Sequence, residues 1–532
     1  MIRTRVTRTL ALAGLVPAGK LSHAATLATA LAGVLLSAML ATPLARAQTF
    51  NTLHSFSSTD GAQPINTLVQ ATDGNIYGAV VVGGANGGGT IFKITPTGAL
   101  TTLYNFCSES GCTDGSQPQT RLVQAVNGDF YGVAYSGGAH GAGTIFKITP
   151  SGTLTTLYSF CSRYIINVGC TDGQGPNALL QATNGKFYGG TYAGGANGYG
   201  TVFEVTPSGR LTTLYGFCSQ ANCSDGANPT TGMIQATNGN IYGTTYWGGR
   251  GGFSGNGTIF EITPSGTHTT LYSFCSQSNC SDGAHPNAGV VQATSGDLYG
   301  TTYGGGANNV GGTVFTIAPG GTLSTLYRFC SKTDCPDGSN PYATVIQATD
   351  GNFYGATGSG GAHGGGAAFK ITPSGKLTAL RSFCAQSGCT DGETPWFGEL
   401  LQDTNGEIYG TTYYGGTSGA CSGGCGTIFS LSVGLGPFVE TQPASGKVGA
   451  AVNILGTNLT GTTSVTFNGT VAVFDVVSSS LITTTVPTGA TTGRVEVTTP
   501  SGTLTSSVFL PGEAIKGALL TPGPGSAHRE CP

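Results

Sequence analysis

Acid and base chemistry has few places to reside in this chain. Glu399 follows Glu393 and precedes Asp403 in the stretch Glu393-Thr394-Pro395-Trp396-Phe397-Gly398-Glu399. Two carboxylates at a set separation are what a glycosidase or lyase uses, one giving a proton and one taking it. Glu399 paired with Glu393 or Asp403 is the one carboxylate cluster that departs from the repeated text described below. No Ser-His-Asp order, H-E-x-x-H motif or phosphate-binding loop accompanies it, so no residue is assigned as catalytic.

Metal chemistry has two candidates. Asp60, Asp114, Asp172, Asp225, Asp282, Asp337 and Asp391 recur at equivalent places. Calcium takes 6–8 oxygens, and each place offers one carboxylate, so an Asp-Gly turn with its carboxylate on backbone amides is the expected role. The cysteines come in close pairs: Cys107 with Cys112, Cys161 with Cys170, Cys218 with Cys223, Cys275 with Cys280, Cys330 with Cys335, Cys384 with Cys389, and Cys421 with Cys425. Cys531 is left over. Zinc would need two further ligands per pair, which seven scattered histidines do not supply. Local structural disulfides are expected, and the spacing alone also permits bridges between repeats. No metal and no cofactor are expected.

The elements that must position these residues are written as a repeat. Tyr-Gly recurs at Tyr77, Tyr131, Tyr188, Tyr242, Tyr299, Tyr354 and Tyr409. Around each copy stand D-G-x-x-P, L-V-Q-A-T-x-G, a glycine-rich stretch, T-I-F-x-I-T-P-x-G and L-T-T-L-Y-x-F. Each unit reads as four strands, as in Leu68–Ala71, Ile76–Val80, Thr90–Ile94 and Leu100–Phe106, joined by glycine turns. A period this long, made only of strands and turns, predicts an all-β, seven-bladed β-propeller with four-stranded blades. The mature start, Thr49–Phe56, matches a fourth strand, whereas the last unit stops after its third. The N-terminal strand is therefore expected to complete the last blade and leave no open edge.

This order places the disulfide loops and glycine-rich loops on one face and the tight turns on the other. Binding is expected on the long-loop face. Departures from the repeat mark where to look: Trp247 and Arg250 in the enlarged loop of the fourth copy, and Trp396 and Glu399 in the seventh. Arg121 and Glu399 fall at the start of innermost strands and are expected at the channel mouth. The two tryptophans offer rings for a sugar or a protein partner, or simply pack their own loops.

Only 8% of the residues are charged and the net charge is −3, against roughly 25% charged in an average domain. Nothing here attracts nucleic acid. Residues 1–47 carry Arg3, Arg5, Arg8 and Lys20, an apolar run and Ala45-Arg46-Ala47, the order of a signal peptide cleaved before Gln48. Membrane contact is expected only if that segment stays uncleaved. The repeats occupy residues 48–434. Alternating strands over 435–510 predict an immunoglobulin-like β-sandwich, and 511–532 read as a disordered tail.

The repeat text, from L-Y-x-F-C through T-x-G-x-x-Y-G-x-T-x-x-G-G to G-T-I-F-x-I-T-P-x-G, resembles the GloVer-type tandem repeat of exported bacterial proteins with a choice of anchor. Pro437–Leu510 resembles an IPT/TIG domain. The resemblance implies export to a secreted, periplasmic or cell-surface location and brings no catalytic residues. No transmembrane helix, basic tail or sorting motif is expected from the residues after Leu510. The expected function is a non-catalytic binding or structural protein with a surface protein or glycan as partner; the competing expectation is a polysaccharide-active enzyme around Glu399.

Overall fold

The structure, a computed structural model, describes residues 48–511 apart from Thr120 and Phe397. The expected signal peptide at 1–47, Cys531 and all but the first residue of the expected tail lie outside the described residues. Pro511 itself ends the strand Gly502–Pro511.

The chain is all-β, built from repeated four-stranded antiparallel sheets. In the first complete sheet, β2 (Val69–Gln70), β3 (Ile76–Val80), β4 (Thr90–Ile94) and β5 (Leu100–Asn105) lie in sequence order. The middle two strands match the sequence reading. The flanking ones are shorter, and Ala71 and Phe106 make their backbone bonds in the adjoining turns. Seven such sheets, two with an extra short strand on the inner side, cover residues 49–432 among the described residues. In one of them β1 (Thr49–Ser55) is the outer strand, paired antiparallel with Thr427–Ser432. The first strand of the described chain thus completes the last sheet.

The Tyr-Gly signature follows from packing. Gly78, Gly132, Gly189, Gly243, Gly300, Gly355 and Gly410 each face a phenylalanine across the strand pair, at Phe92, Phe146, Phe203, Phe260, Phe315, Phe369 and Phe429. A methyl at any of these glycines would lie 2.3–2.7 Å from the tip of that ring. Glycine is required so that the ring can lie over the backbone. Each of these phenylalanines also meets one from the outer strand of the preceding sheet, with centroids 5.1–5.4 Å apart. The series runs from Phe106–Phe146 to Phe383–Phe429 and closes with Phe56–Phe92, where Phe56 follows β1.

A second circuit runs along the inner strands. The Oε1 of Gln124, Gln235, Gln292, Gln347 and Gln402 accepts the backbone N–H of Thr72, Thr183, Thr237, Thr294 and Thr349 in the preceding sheet, at 2.8–3.0 Å. Gln70 does the same to Thr404 of the last sheet at 3.0 Å. Gln181, at the same place in the third copy, donates to Gly185 O. Side-chain to backbone bonds of this kind satisfy turn amides that would otherwise be desolvated unpaired.

The repeated aspartates do what a turn predicts. Asp225, fully buried, accepts from Tyr215 Oη (2.7 Å), Ser219 N (2.9 Å), Ser219 Oγ (3.0 Å) and Gln220 N (3.3 Å). The same bonds recur at Asp114 and Asp282. Where the tyrosine is replaced, His54 bonds Asp60 at 2.8 Å and Arg381 pairs with Asp391.

Each disulfide closes within its own loop, and none of the seven bridges two repeats. Cys107 is bonded to Cys112, Cys161 to Cys170, Cys218 to Cys223 and Cys275 to Cys280. Cys330 is bonded to Cys335, Cys384 to Cys389 and Cys421 to Cys425. The alternative of cross-repeat bridges is thereby removed for these fourteen cysteines. Their sulfurs are used up in pairs, which also leaves no thiolate for zinc. Among the described residues no group of three or more His, Cys, Asp or Glu is placed to hold a metal.

Residues 439–511 form two sheets, one ordered Glu440–Gln442, Ala451–Leu455, Leu481–Thr485, Phe474–Val476, the other built on Gly502–Pro511 and Gly493–Thr499. They share one core that includes Val439, Ile454, Val465, Phe467, Val495 and Phe509. This unit rests on the tight-turn face. Phe438 N donates to Thr404 O (3.0 Å), Thr404 and Thr457 hydroxyls meet at 3.0 Å, and Ser480 Oγ donates to Thr72 O (3.1 Å).

Candidate functional site

The inner strands carry an equivalent position three residues before each repeat's glutamine: Thr67, Arg121, Ala178, Gly232, Gly289, Thr344 and Glu399. Six of these seven line one cavity of about 290 Å³, the exception being Gly289. The position is charged at Arg121 and Glu399, in the two sheets flanking Thr67, and is Ala or Gly on the far wall. Glu399 N donates to Thr67 Oγ1 at 3.1 Å, which holds the residue at this level. Its Oε1 lies 3.5 Å from where a Cβ of Gly232 would stand, so the carboxylate spans the lumen toward a wall that glycine keeps clear.

The electrostatics follow from burial. Burial pushes the Glu399 carboxyl above the usual range, and the Arg121 charge pulls it back in part. Glu440, in the first strand of the C-terminal unit, is pushed up by burial and lowered by Arg121 in the same way. One guanidinium thus serves carboxylates from both units. Arg121 makes no ion pair within 4.0 Å among the described residues.

Asp403 lies at the opposite end of the Glu399 strand, in the tight turn. It is 1% exposed, and burial pushes its carboxyl up to about 6, helped by Glu440 and Glu407 and opposed by the Asn405 N–H. A carboxyl with a raised folded-state pKa binds protons that the unfolded chain has released. Its share of stability is therefore greatest below the ordinary value of 3.8 and falls as pH rises from about 4 to 6. Asp403→Asn is expected to flatten the urea-midpoint profile across that window and to stabilise the protein at pH 8 by ~1–3 kcal/mol. An unchanged profile sinks the assignment.

Neither Glu393 nor Asp403 lines the cavity with Glu399. Asp403 lies four positions along the chain from Glu399, about 13 Å at roughly 3.3 Å per residue, beyond the ~5–9.5 Å that glycosidic acid–base pairs span. Glu393 is held in a bridge to Tyr414 on the long-loop face. The carboxylate cluster written in the sequence is taken apart by the fold.

The tryptophans stand elsewhere on the long-loop face, within a belt of rings. Trp247 meets Tyr246 and His285 edge-on at 5.0 and 4.6 Å, and Trp396 meets Tyr342 and Tyr413 at 5.0 and 4.6 Å. Both are half-buried. Arg250 is exposed at the start of the enlarged fourth-copy loop, which turns through Gly252–Ser254. The belt went unread in the sequence, although Y-G-x-x-Y spells it at Tyr135, Tyr192, Tyr246, Tyr303 and Tyr413. The sixth copy has Gly358 there, and Tyr342 fills the space: a methyl at Gly358 would lie 2.8 Å from its ring. Burial, then the neighbouring phenols, raise the hydroxyls of Tyr246 and Tyr342. A second missed feature is the longer disulfide loop of the third copy, where Tyr164, Ile165 and Ile166 are 67%, 53% and 78% exposed. Its signal was the separation of nine between Cys161 and Cys170, against five in its neighbours.

These features define an all-β repeat protein whose sheets surround a charged cavity and present aromatic and apolar loops on one face. Residues 32–167, 163–336 and 251–474 match the Gloeobacter/Verrucomicrobia repeat, and the chain belongs to that family. Residues 439–510 match the IPT/TIG domain. No curated protein matches the chain. Solved structures similar to it include the extracellular domains of two putative hybrid two-component systems of B. thetaiotaomicron. Their identities are 12% and 11%, their TM-scores 0.47 and 0.46, and they cover 86% and 87% of this chain. The chain spans 58% of the length of each. A fungal alcohol oxidase of the AA5 family, in complex with copper, is similar at 13% identity and TM-score 0.46, covering 87% of this chain and 98% of its own.

Proposed function

We propose that the protein is an exported, non-catalytic binding or structural protein, a seven-bladed β-propeller followed by an immunoglobulin-like sandwich, whose long-loop face binds a surface protein or a glycan. The propeller reading rests on the two side-chain circuits that return from the last sheet to the first. The sandwich reading rests on two sheets sharing one core. Export is supported by seven local disulfides, which persist in oxidising compartments. Among the described residues no helix is long and apolar enough to cross a membrane.

The observation that carries the binding reading is the aromatic belt. Rings with one apolar face and one polar edge are what sugar faces and protein hot spots use. The exposed Tyr164–Ile166 tip favours a protein partner, since an exposed apolar patch of this kind commonly marks a contact surface. A glycan and surface-protein array is the test. Trp247→Ala with Trp396→Ala is expected to weaken the bound ligand at least about tenfold, as loss of one hot spot does. An array without any ligand, or binding untouched by the pair, removes the proposed patch.

Glu399 supports a second reading, a polysaccharide-active site at the funnel, since a half-buried carboxyl whose pKa is raised by desolvation suits a general acid. It lacks the partner carboxylate that the sequence offered, and so ranks below the binding reading.

A further inference from the structure

The cavity on the axis holds an arrangement that neither the aromatic belt nor a glycosidase explains. Arg121 and Glu399 line it from sheets on either side of Thr67, one cation and one anion that make no contact within 4.0 Å. Two buried asparagines add to them. Asn66 Nδ2 donates to Pro118 O and Asn177 Nδ2 to Pro229 O, both at 2.8 Å, so each side chain is pinned by its amide nitrogen. The Oδ1 of each is left without a hydrogen-bond partner, although the residues are only 3% and 5% exposed. Thr344 Oγ1, also in the wall, is in the same state. Buried acceptors left unpaired are destabilising. Deeper along the inner strands the wall is aliphatic, formed by Ile234, Val291 and Ile346.

We propose that this cavity binds a small zwitterion, an α-amino acid with an apolar side chain. The carboxylate of such a ligand pairs with Arg121, which presents a planar fork of donors suited to it. The ammonium pairs with Glu399. The side chain covers the aliphatic wall. About 290 Å³ is near the lower end of small-ligand pockets and suits a molecule of this size. A divalent cation would meet one carboxylate against one guanidinium, and a phosphate would meet Glu399. A neutral sugar would leave the unlike charges of Arg121 and Glu399 unanswered. The inference goes beyond the surface reading and does not depend on it, since none of these residues lies in the aromatic belt.

The test is calorimetric titration of the oxidised full chain with L-leucine, leucinamide, N-acetyl-leucine and D-glucose. Saturable binding of L-leucine is expected, weakened at least about tenfold by removing the ligand's carboxylate charge in leucinamide or by Arg121→Met. N-acetyl-leucine and Glu399→Gln are expected to weaken it by a similar factor through the ammonium. The two ligand analogues probe the unaltered protein, so the outcome does not hang on a variant folding. The proposal is overturned if L-leucine, L-alanine and L-phenylalanine show no binding up to about 10 mM, a free energy weaker than ~3 kcal/mol. It is also overturned if the analogues bind as well as L-leucine, or if D-glucose binds and the amino acids do not.

Discussion

A chain lacking Thr49–Phe56 is expected to lose its cooperative native state at 25 °C. Those residues supply six cross-strand pairs to Thr427–Ser432. They also supply Phe56, fully buried against Phe92 with centroids 5.4 Å apart, and Phe50, which packs on Phe383 and Phe429 at 5.9 and 5.5 Å. Deleting one buried phenylalanine from a core costs ~3–5 kcal/mol, and each lost strand hydrogen bond adds about 1 kcal/mol. These losses are large against a typical total stability of ~5–15 kcal/mol, and the entropy returned by freeing eight residues offsets part of them. The deletion also opens the phenylalanine circuit at its Phe56–Phe92 joint and exposes a strand edge, which invites association. Circular dichroism melts and size-exclusion chromatography would show a broad, low transition and oligomers. A peptide of residues 48–56 added in trans is expected to restore the sharp melt. A deletion protein that melts with the parent's midpoint and cooperativity would refute the closing role of β1.

Reduction of the disulfides is expected to have the next largest effect. Each of the seven closes a loop of sequence separation 4–9. In the chain-entropy account, loops of that size are worth about 2 kcal/mol each. Both cysteines of most pairs sit at positive φ, for example Cys218 at 57° and Cys223 at 52°, a backbone that a free cysteine holds poorly. The same holds at Cys112, Cys280, Cys335 and Cys389, whereas neither Cys421 nor Cys425 is in that region. The same loops carry the aspartate caps, so their release also frees buried carboxylates such as Asp225 from their donors. Full reduction and alkylation should therefore lower the denaturation midpoint by most of the protein's stability, whereas Cys218→Ala with Cys223→Ala should cost ~2 kcal/mol. Thiol titration confirms that all seven bonds have opened. A midpoint unmoved by complete reduction would show that the loops are held by their hydrogen bonds alone.

Much of the scaffold was legible because its signals are local and repeated. The strands Ile76–Val80 and Thr90–Ile94 were bounded by glycine turns. Asp-Gly predicted carboxylates on backbone amides, and the close cysteines paired within their own loops. The truncated first copy even pointed to the pairing of β1 with the last sheet. What misled was reading chemistry along the chain: Glu393, Glu399 and Asp403 are near neighbours in sequence, yet a strand separates them onto different faces. The aromatic belt was written as Y-G-x-x-Y but carried no weight until the fold set the copies side by side.

By itself the amino-acid sequence determined the all-β repeat, its turns, its close cysteine pairs and the end-to-end pairing, since each depends on residues within one repeat or on copying that repeat, whereas the structure closed each disulfide within its own loop. Only the tertiary structure decided what the repeat surrounds. Arg121, Glu399, Asn66 and Asn177 come from four different sheets and share one cavity because the circuit closes. Glu440, from another domain, feels the same guanidinium because that domain rests on the tight turns. Local propensity and spacing act over a few residues, whereas burial and electrostatic fields act between whatever the closed chain brings within a few ångströms.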